Sequence, residues 1–177
     1  MTDPLNDLRE DYPGAALTEA EVAADPVVQV NAWLADAVAA GEPLANAMTL
    51  ATVDDRARPS ARIVLLKGLD GRGATFFTSY GSRKGTELAE NPACAAVLYW
   101  PRLHRQVRLE GRAEKISAAE SDAYFATRPP ASNASAIASP QSQVIPDRKS
   151  LETRRAALLS QGRLDRPATW GGFRITL

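Results

Sequence analysis

Arg105-Gln106-Val107-Arg108-Leu109-Glu110-Gly111-Arg112-Ala113-Glu114-Lys115 alternates without a break. Val107, Leu109, Gly111 and Ala113 fall on one side, and Gln106, Arg108, Glu110, Arg112 and Glu114 on the other. A period of two marks a strand, because successive side chains in extended backbone point to opposite faces. One packed face and one charged face suit the wall of a β-barrel.

Toward the N-terminus, four more short runs read as strands: Ala95 to Trp100, Ala74 to Thr78, Ser60 to Lys67 and Ala47 to Val53. Asp54-Asp55-Arg56 and the stretch from Gly68 to Gly73 read as the turns between them. Short strands joined by tight turns predict an antiparallel meander and a mainly β domain. Phe173 to Leu177 reads as a further strand. A barrel without exposed edges needs its last strands, so a chain stopping there is either cut short or completed by another subunit.

Helices flank this core. Asp25-Pro26 supplies an N-cap and an N1 proline, Val27, Val30, Trp33, Leu34, Ala37 and Val38 follow at helical spacing, and Gly41 ends the pattern. A short helix is predicted from the Ser82 region through Leu88. Ser117 and Glu120 have capping-box spacing, so a helix starts at Ala118, includes Tyr124-Phe125 and stops near Arg128-Pro129-Pro130. Residues 131–146 read as irregular or briefly helical surface chain, and Arg148 to Leu159 as another helix. Residues 1–24 read as an N-terminal arm and 25–177 as the single folded domain.

With 177 residues there is enough chain for one domain with a real core. Lys plus Arg and Asp plus Glu both number 21, so no net field favours a polyanion such as nucleic acid. The single cysteine, Cys94, and the single histidine, His104, cannot make a Cys/His zinc site within one subunit. That leaves room for an organic cofactor. Met1-Thr2-Asp3-Pro4 does not begin a basic-then-apolar leader, and no run reaches the roughly 20 apolar residues of a membrane span. A cytoplasmic location is the resulting expectation.

Several groups could bind an anion. Arg62 and Lys67 flank one apolar run; strict alternation puts them on opposite faces, while a strand end or bulge would bring both to one ligand. The structural alternatives are a salt bridge for Arg62 and a solvated Lys67. Ser82-Arg83-Lys84 places a hydroxyl, a guanidinium and an ammonium at a helix start, where amides and dipole favour phosphate. Neither a Walker loop nor a G-x-G-x-x-G is present. Tyr124, Arg128 and Ser132, spaced by four, suit a phosphate monoester or else form a helix cap and a surface arginine. Gln106, Gln141 and Ser142 offer neutral donors and acceptors, and Trp100, Trp170 and Phe173 read as packing residues.

Five stretches then carry a resemblance: Arg62 to Lys67, Phe76-Phe77-Thr78-Ser79-Tyr80-Gly81-Ser82-Arg83-Lys84, Arg105-Gln106-Val107, Tyr124-Phe125-Ala126-Thr127-Arg128-Pro129, and Gln141-Ser142. With Trp170-Gly171-Gly172-Phe173-Arg174 they resemble, in order and separation, the pyridoxamine/pyridoxine 5'-phosphate oxidase family. The resemblance implies an FMN-binding split β-barrel with flanking helices, homodimeric, with FMN at the subunit interface. By position it implies FMN contacts from Arg62, Val64, Leu65, Phe77, Thr78, Arg83, Lys84, Gln106, Gln141 and Ser142, several from opposite subunits. It assigns the substrate phosphate to Lys67, Tyr124, Arg128 and Ser132, and closure over the substrate to Arg9 and Tyr12 of the arm.

The implied reaction oxidises pyridoxamine or pyridoxine 5'-phosphate to pyridoxal 5'-phosphate and reduces O2 to hydrogen peroxide, with no side chain needed as a strong base. The resemblance also implies strands beyond Ile175, which in the family bring a tryptophan near the flavin and an Arg-x-His segment over the substrate ring; this sequence does not contain them. Flavin oxidases of phenazine assembly, and a noncatalytic FMN- or B6-phosphate-binding homologue, are the alternatives. A nucleic-acid module is suggested only by the arginines of residues 102–115, which alternating acids offset.

Overall fold

Asp25 caps the first helix as its sequence predicts, its carboxylate accepting from Val27 N at 2.8 Å. Pro26 opens α1 (Pro26–Ala39) at the position where a missing N–H costs nothing. The computed structural model describes residues 17–162 and 164–177. Their Cα packing forms two units: the chain up to Ala45 with Tyr99–Val107, and Asn46–Leu98 with Arg108–Leu177. In the first unit Arg105 bonds Asp36 at 2.6 Å and lies over the Trp33 ring at 5.1 Å, which ties α1 to the Tyr99–Val107 segment. Trp100 Nε1 donates to Ala45 O at 2.7 Å, satisfying the polar edge of a buried indole.

The second unit is built on a sheet. The strands are β1 (Ala47–Val53), β2 (Pro59–Leu65), β3 (Gly68–Asp70), β4 (Gly73–Ser79), β5 (Ala93–Trp100), β6 (Arg105–Lys115) and β7 (Trp170–Thr176), of which only the end of β5 from Tyr99 and the start of β6 to Val107 are counted with the first unit. Their order is β2-β1-β5-β6-β7-β4-β3. The β1–β2, β1–β5, β3–β4, β4–β7 and β6–β7 pairings are all antiparallel. The expected meander is therefore corrected. Sequence neighbours pair only where the turn is short, as in β1–β2 and β3–β4; helical excursions carry the chain elsewhere, and β7 enters between β6 and β4. The stretch expected as one turn, Gly68 to Gly73, contains β3, leaving Gly71-Arg72 as the turn; the Asp70 carboxylate accepts from Arg72 N at 2.8 Å and tightens it.

Four helices complete this unit: α2 (Arg83–Glu90), α3 (Ala118–Thr127), α4 (Pro130–Ala138) and α5 (Arg148–Ser160). The Ser117/Glu120 capping box is formed at the head of α3. Of the two readings left for residues 131–146, the briefly helical one holds over α4, because Pro130 sits at a helix start, where proline is tolerated. Met48, Leu50, Phe76, Leu98, Phe173 and Ile175 are fully buried, and burying each such side chain stabilises the fold by about 1.5–3 kcal/mol. Phe76 of β4 stacks on Phe173 of β7 at 5.7 Å, fixing the register of the two strands that frame the site below. Among the described residues no helix is long and apolar enough to cross a membrane, and no His/Cys/Asp/Glu group is arranged to hold a metal.

Candidate functional site

The C-terminal end of β4 meets the start of α2 at Ser82, whose hydroxyl accepts from Gly85 N. Gly85 is required there: a Cβ would stand 2.3 Å from Tyr80 O. This tight turn sends Lys84 back beneath the strand, where it is 7% exposed. Its Nζ donates to Thr78 Oγ1 at 3.1 Å, Ser82 Oγ at 3.3 Å and Gln141 Oε1 at 3.1 Å. All three acceptors are neutral. Burial first, and then the positive charge of Arg62, push the Lys84 pKa down to about 8, with Glu87 opposing. A buried ammonium whose hydrogen bonds go only to neutral groups is a ready receptor for an anion.

Two adjoining cavities, of ≈650 and ≈390 Å³, share Phe77, Thr78, Arg128, Ser132, Gln141 and Trp170. Phe77 stacks on Tyr124 of α3 at 3.7 Å and on Trp170 of β7 at 5.6 Å. The Arg128 guanidinium lies 4.6 Å from the centre of the Trp170 ring. Its Nη2 donates to Ser132 O at 3.3 Å, while Nη1 is buried with no hydrogen-bond partner among the described residues. Such an orphaned charged donor costs stability unless a ligand completes it. The larger cavity continues between α4 and α5 past Ser135, Leu151 and Arg155.

A second cluster surrounds Glu87, which is 3% exposed. Arg62 donates through Nη2 to Glu87 Oε2 at 3.0 Å, and Arg83 through Nε to Glu87 Oε1 at 2.7 Å. Ser60 and Thr52 donate their hydroxyls to the same carboxylate. Burial raises the Glu87 pKa, but the hydrogen bonds from Thr52, Ser60, Arg83 and Arg62 together outweigh it and bring it to about 2.

The alternatives left open for Arg62 and Lys67 separate here. Leu66 N bonds Asn46 O and Lys67 N bonds Thr75 O, both at 2.8 Å, so between these two residues the chain changes partner from β1 to β4. Lys67 thereby reaches the smaller cavity, whereas Arg62 turns toward Glu87. Of the residues singled out in the sequence, Val64, Leu65, Lys67, Phe77, Thr78, Lys84, Tyr124, Arg128, Ser132 and Gln141 line that one cavity. Arg62 and Arg83 meet at Glu87 instead. Ser142 is exposed at φ 68° and lines neither cavity. Gln106 is exposed on β6 and belongs to the first unit. Arg9 and Tyr12 lie outside the described residues.

Two site residues escape the sequence reading. Trp170, read as packing, is buried yet lines both cavities. Glu87 carried one local signal, its spacing of four from Arg83 on a helix. Burial pushes the Cys94 thiol up to about 11, the direction that disfavours the reactive thiolate.

Residues 34–160 match the sequence model of the family described as pyridoxamine 5'-phosphate oxidase. The chain belongs to the pyridoxamine 5'-phosphate oxidase family. It is 54% identical to the pyridoxine/pyridoxamine 5'-phosphate oxidase of Cupriavidus necator, over 97% of this chain and 82% of that protein. Among solved structures of the same fold is PhzG from Burkholderia lata in complex with tetrahydrophenazine-1-carboxylic acid. It is 31% identical, with a TM-score of 0.87 over 92% of this chain and 82% of that one. An FMN-binding, pyridoxamine 5'-phosphate oxidase-related protein from Nostoc punctiforme shares the fold at 16% identity and a TM-score of 0.69, over 87% of this chain and 82% of that one. In this member of the pyridoxamine 5'-phosphate oxidase family, the mainly β sheet and its flanking helices thus place Lys84, Arg128 and an aromatic stack at one cavity.

Proposed function

We propose that the chain is an FMN-dependent oxidase converting pyridoxamine or pyridoxine 5'-phosphate to pyridoxal 5'-phosphate, with O2 reduced to hydrogen peroxide. The observation that carries this reading is the pairing, in one cavity, of a buried Lys84 with a buried Arg128 Nη1: among the described residues the first bonds only neutral groups and the second has no partner. Two cationic donors beside stacked aromatic rings suit two phosphorylated, ring-bearing molecules, a cofactor and a substrate.

FMN fits the donor set. Arg62, Arg83 and Lys84 supply positive charge for its phosphate; Val64, Leu65 and Phe77 supply apolar and aromatic surface, and Thr78 and Gln141 supply polar contacts. Gln106 and Ser142 complete the set, several of these residues coming from a second subunit. Bound flavin supplies the two-electron redox capacity that none of these side chains has. Lys67, Arg128 and Ser132 hold the substrate phosphate, and the Tyr124 hydroxyl orients it. Arg9 and Tyr12 close over the substrate, and Trp170 and Phe77 keep water from the reacting ring. Holding both partners in one orientation is the protein's main contribution to rate. A homodimer accords with edge strand β2, which leaves Ile63 61% and Leu65 36% exposed beside the cavity.

The likeness to PhzG supports a second reading, oxidation of a reduced tricyclic acid. Arg128 and Lys67 favour a phosphate-bearing substrate, and so does the greater identity to the Cupriavidus oxidase. Anaerobic addition of pyridoxine phosphate to the FMN-loaded protein distinguishes the two. Bleaching of the oxidised-flavin absorbance supports B6 oxidation; an unchanged spectrum that bleaches only with a reduced phenazine precursor supports the other.

A further inference from the structure

Glu87 touches neither cavity, yet it joins three elements that the site depends on. From α2 its carboxylate reaches Thr52 of β1 and Ser60 and Arg62 of β2, and it takes Arg83 from its own helix. Arg62 is thereby immobilised. Its Nη1 donates to Leu50 O at 3.2 Å and Thr52 Oγ1 at 2.6 Å, and its Nη2 to Ser60 Oγ and Glu87. Arg83 is committed on one edge only: Nε is bonded to Glu87, while the side chain remains 59% exposed. A guanidinium anchored through Nε presents its terminal nitrogens as a preset fork for two phosphate oxygens.

We propose that Glu87 is the positioning residue for the flavin phosphate, holding the Arg83 guanidinium in the orientation that binds it and fixing Arg62 beside it as a positive charge. The inference rests on the FMN reading above. Two effects of removing the carboxylate oppose each other. Loss of a negative charge strengthens the local positive field, but it also removes the group that favours the charged form of Lys84 and lets two neighbouring guanidiniums repel. The gain in field is thus offset by loss of ammonium charge, and disordering of both arginines remains as the net cost.

The test compares FMN with riboflavin, which lacks the phosphate, by quenching of flavin fluorescence on wild-type protein, E87Q and E87A. E87Q keeps the side chain's shape and decides the matter should E87A fail to fold. The expected result is a loss of FMN affinity of about tenfold or more, with riboflavin affinity held within about threefold. Equal losses for both flavins would overturn the proposal in favour of a purely structural carboxylate. Unchanged or tighter FMN binding would overturn it in favour of a carboxylate that competes with the phosphate. Wild-type protein that binds FMN no better than riboflavin contradicts the cofactor reading itself, and this inference with it.

Discussion

Lys84 Nζ and Gln141 Oε1 lie 3.1 Å apart, joining the head of α2 to the segment that follows α4. Thr78 Oγ1 also donates to Gln141 Oε1, at 3.0 Å, so one amide oxygen receives both the strand and the helix. The contact organises the polar end of the cavity around a positive charge without neutralising it.

That charge has a sign-definite effect on stability. The Lys84 pKa is about 8 against an ordinary 10.5, so the folded protein releases this proton more readily than the unfolded chain. The cost of burying the charge is present in full below pH 8 and is relieved as pH rises toward 10.5. Lys84→Met should therefore stabilise the ligand-free protein at neutral pH by about 1–2 kcal/mol once its lost hydrogen bonds are allowed for. Thermal melts of both proteins should show this advantage shrink and then reverse as pH rises from 8 toward 10.5, because the hydrogen bonds stay lost after the charge cost is relieved. FMN affinity should fall above pH 8 in the wild type and show no such step in Lys84→Met.

Glu87 behaves oppositely. Its pKa of about 2, against an ordinary 4.5, means that its contribution is fully present above pH 4.5 and lost as pH falls toward 2. Denaturant unfolding between those limits should show a shallower loss of stability with acid in E87Q than in the wild type. A parallel loss would show that the carboxylate is not held ionised by its partners.

Arg128→Ala should lower kcat/KM for pyridoxine phosphate by about 10- to 100-fold, the value of a charge-assisted contact. It should leave FMN affinity nearly unchanged. Steady-state kinetics on phosphorylated and unphosphorylated vitamers check this, and equal effects on both would count against a phosphate contact.

Gly85→Ala should destabilise the protein by about 1–3 kcal/mol, because the new methyl meets the Tyr80 carbonyl at 2.3 Å and must displace the head of α2. A melting temperature equal to the wild type would show that this turn has slack.

The strand pattern was legible because alternation is local. Val107, Leu109 and Ala113 are buried on β6, and Arg108, Glu110 and Arg112 exposed, as period two requires. The insertion of β7 between β6 and β4 was not, since pairing Phe173 with Phe76 and with Lys115 depends on contacts far along the chain. Helix α4 was legible only as one of two alternatives, because Pro129-Pro130 and a Ser/Ala/Asn composition blur a helix whose start the second proline occupies. Within the site, Lys84, Arg128 and Ser132 were readable as phosphate-seeking groups, and the family resemblance collected them. Glu87 was hidden because Thr52, Ser60 and Arg62 reach it on α2 from β1 and β2. Trp170 was half-read: the same ring packs against Phe125 and lines the cavity.

The most direct test is pyridoxal 5'-phosphate formation by FMN-loaded protein supplied with pyridoxine or pyridoxamine 5'-phosphate under air. The account predicts FMN-dependent turnover with equimolar hydrogen peroxide, and much weaker turnover of the unphosphorylated vitamers. Stoichiometric FMN binding with no pyridoxal phosphate formed from either substrate would contradict it.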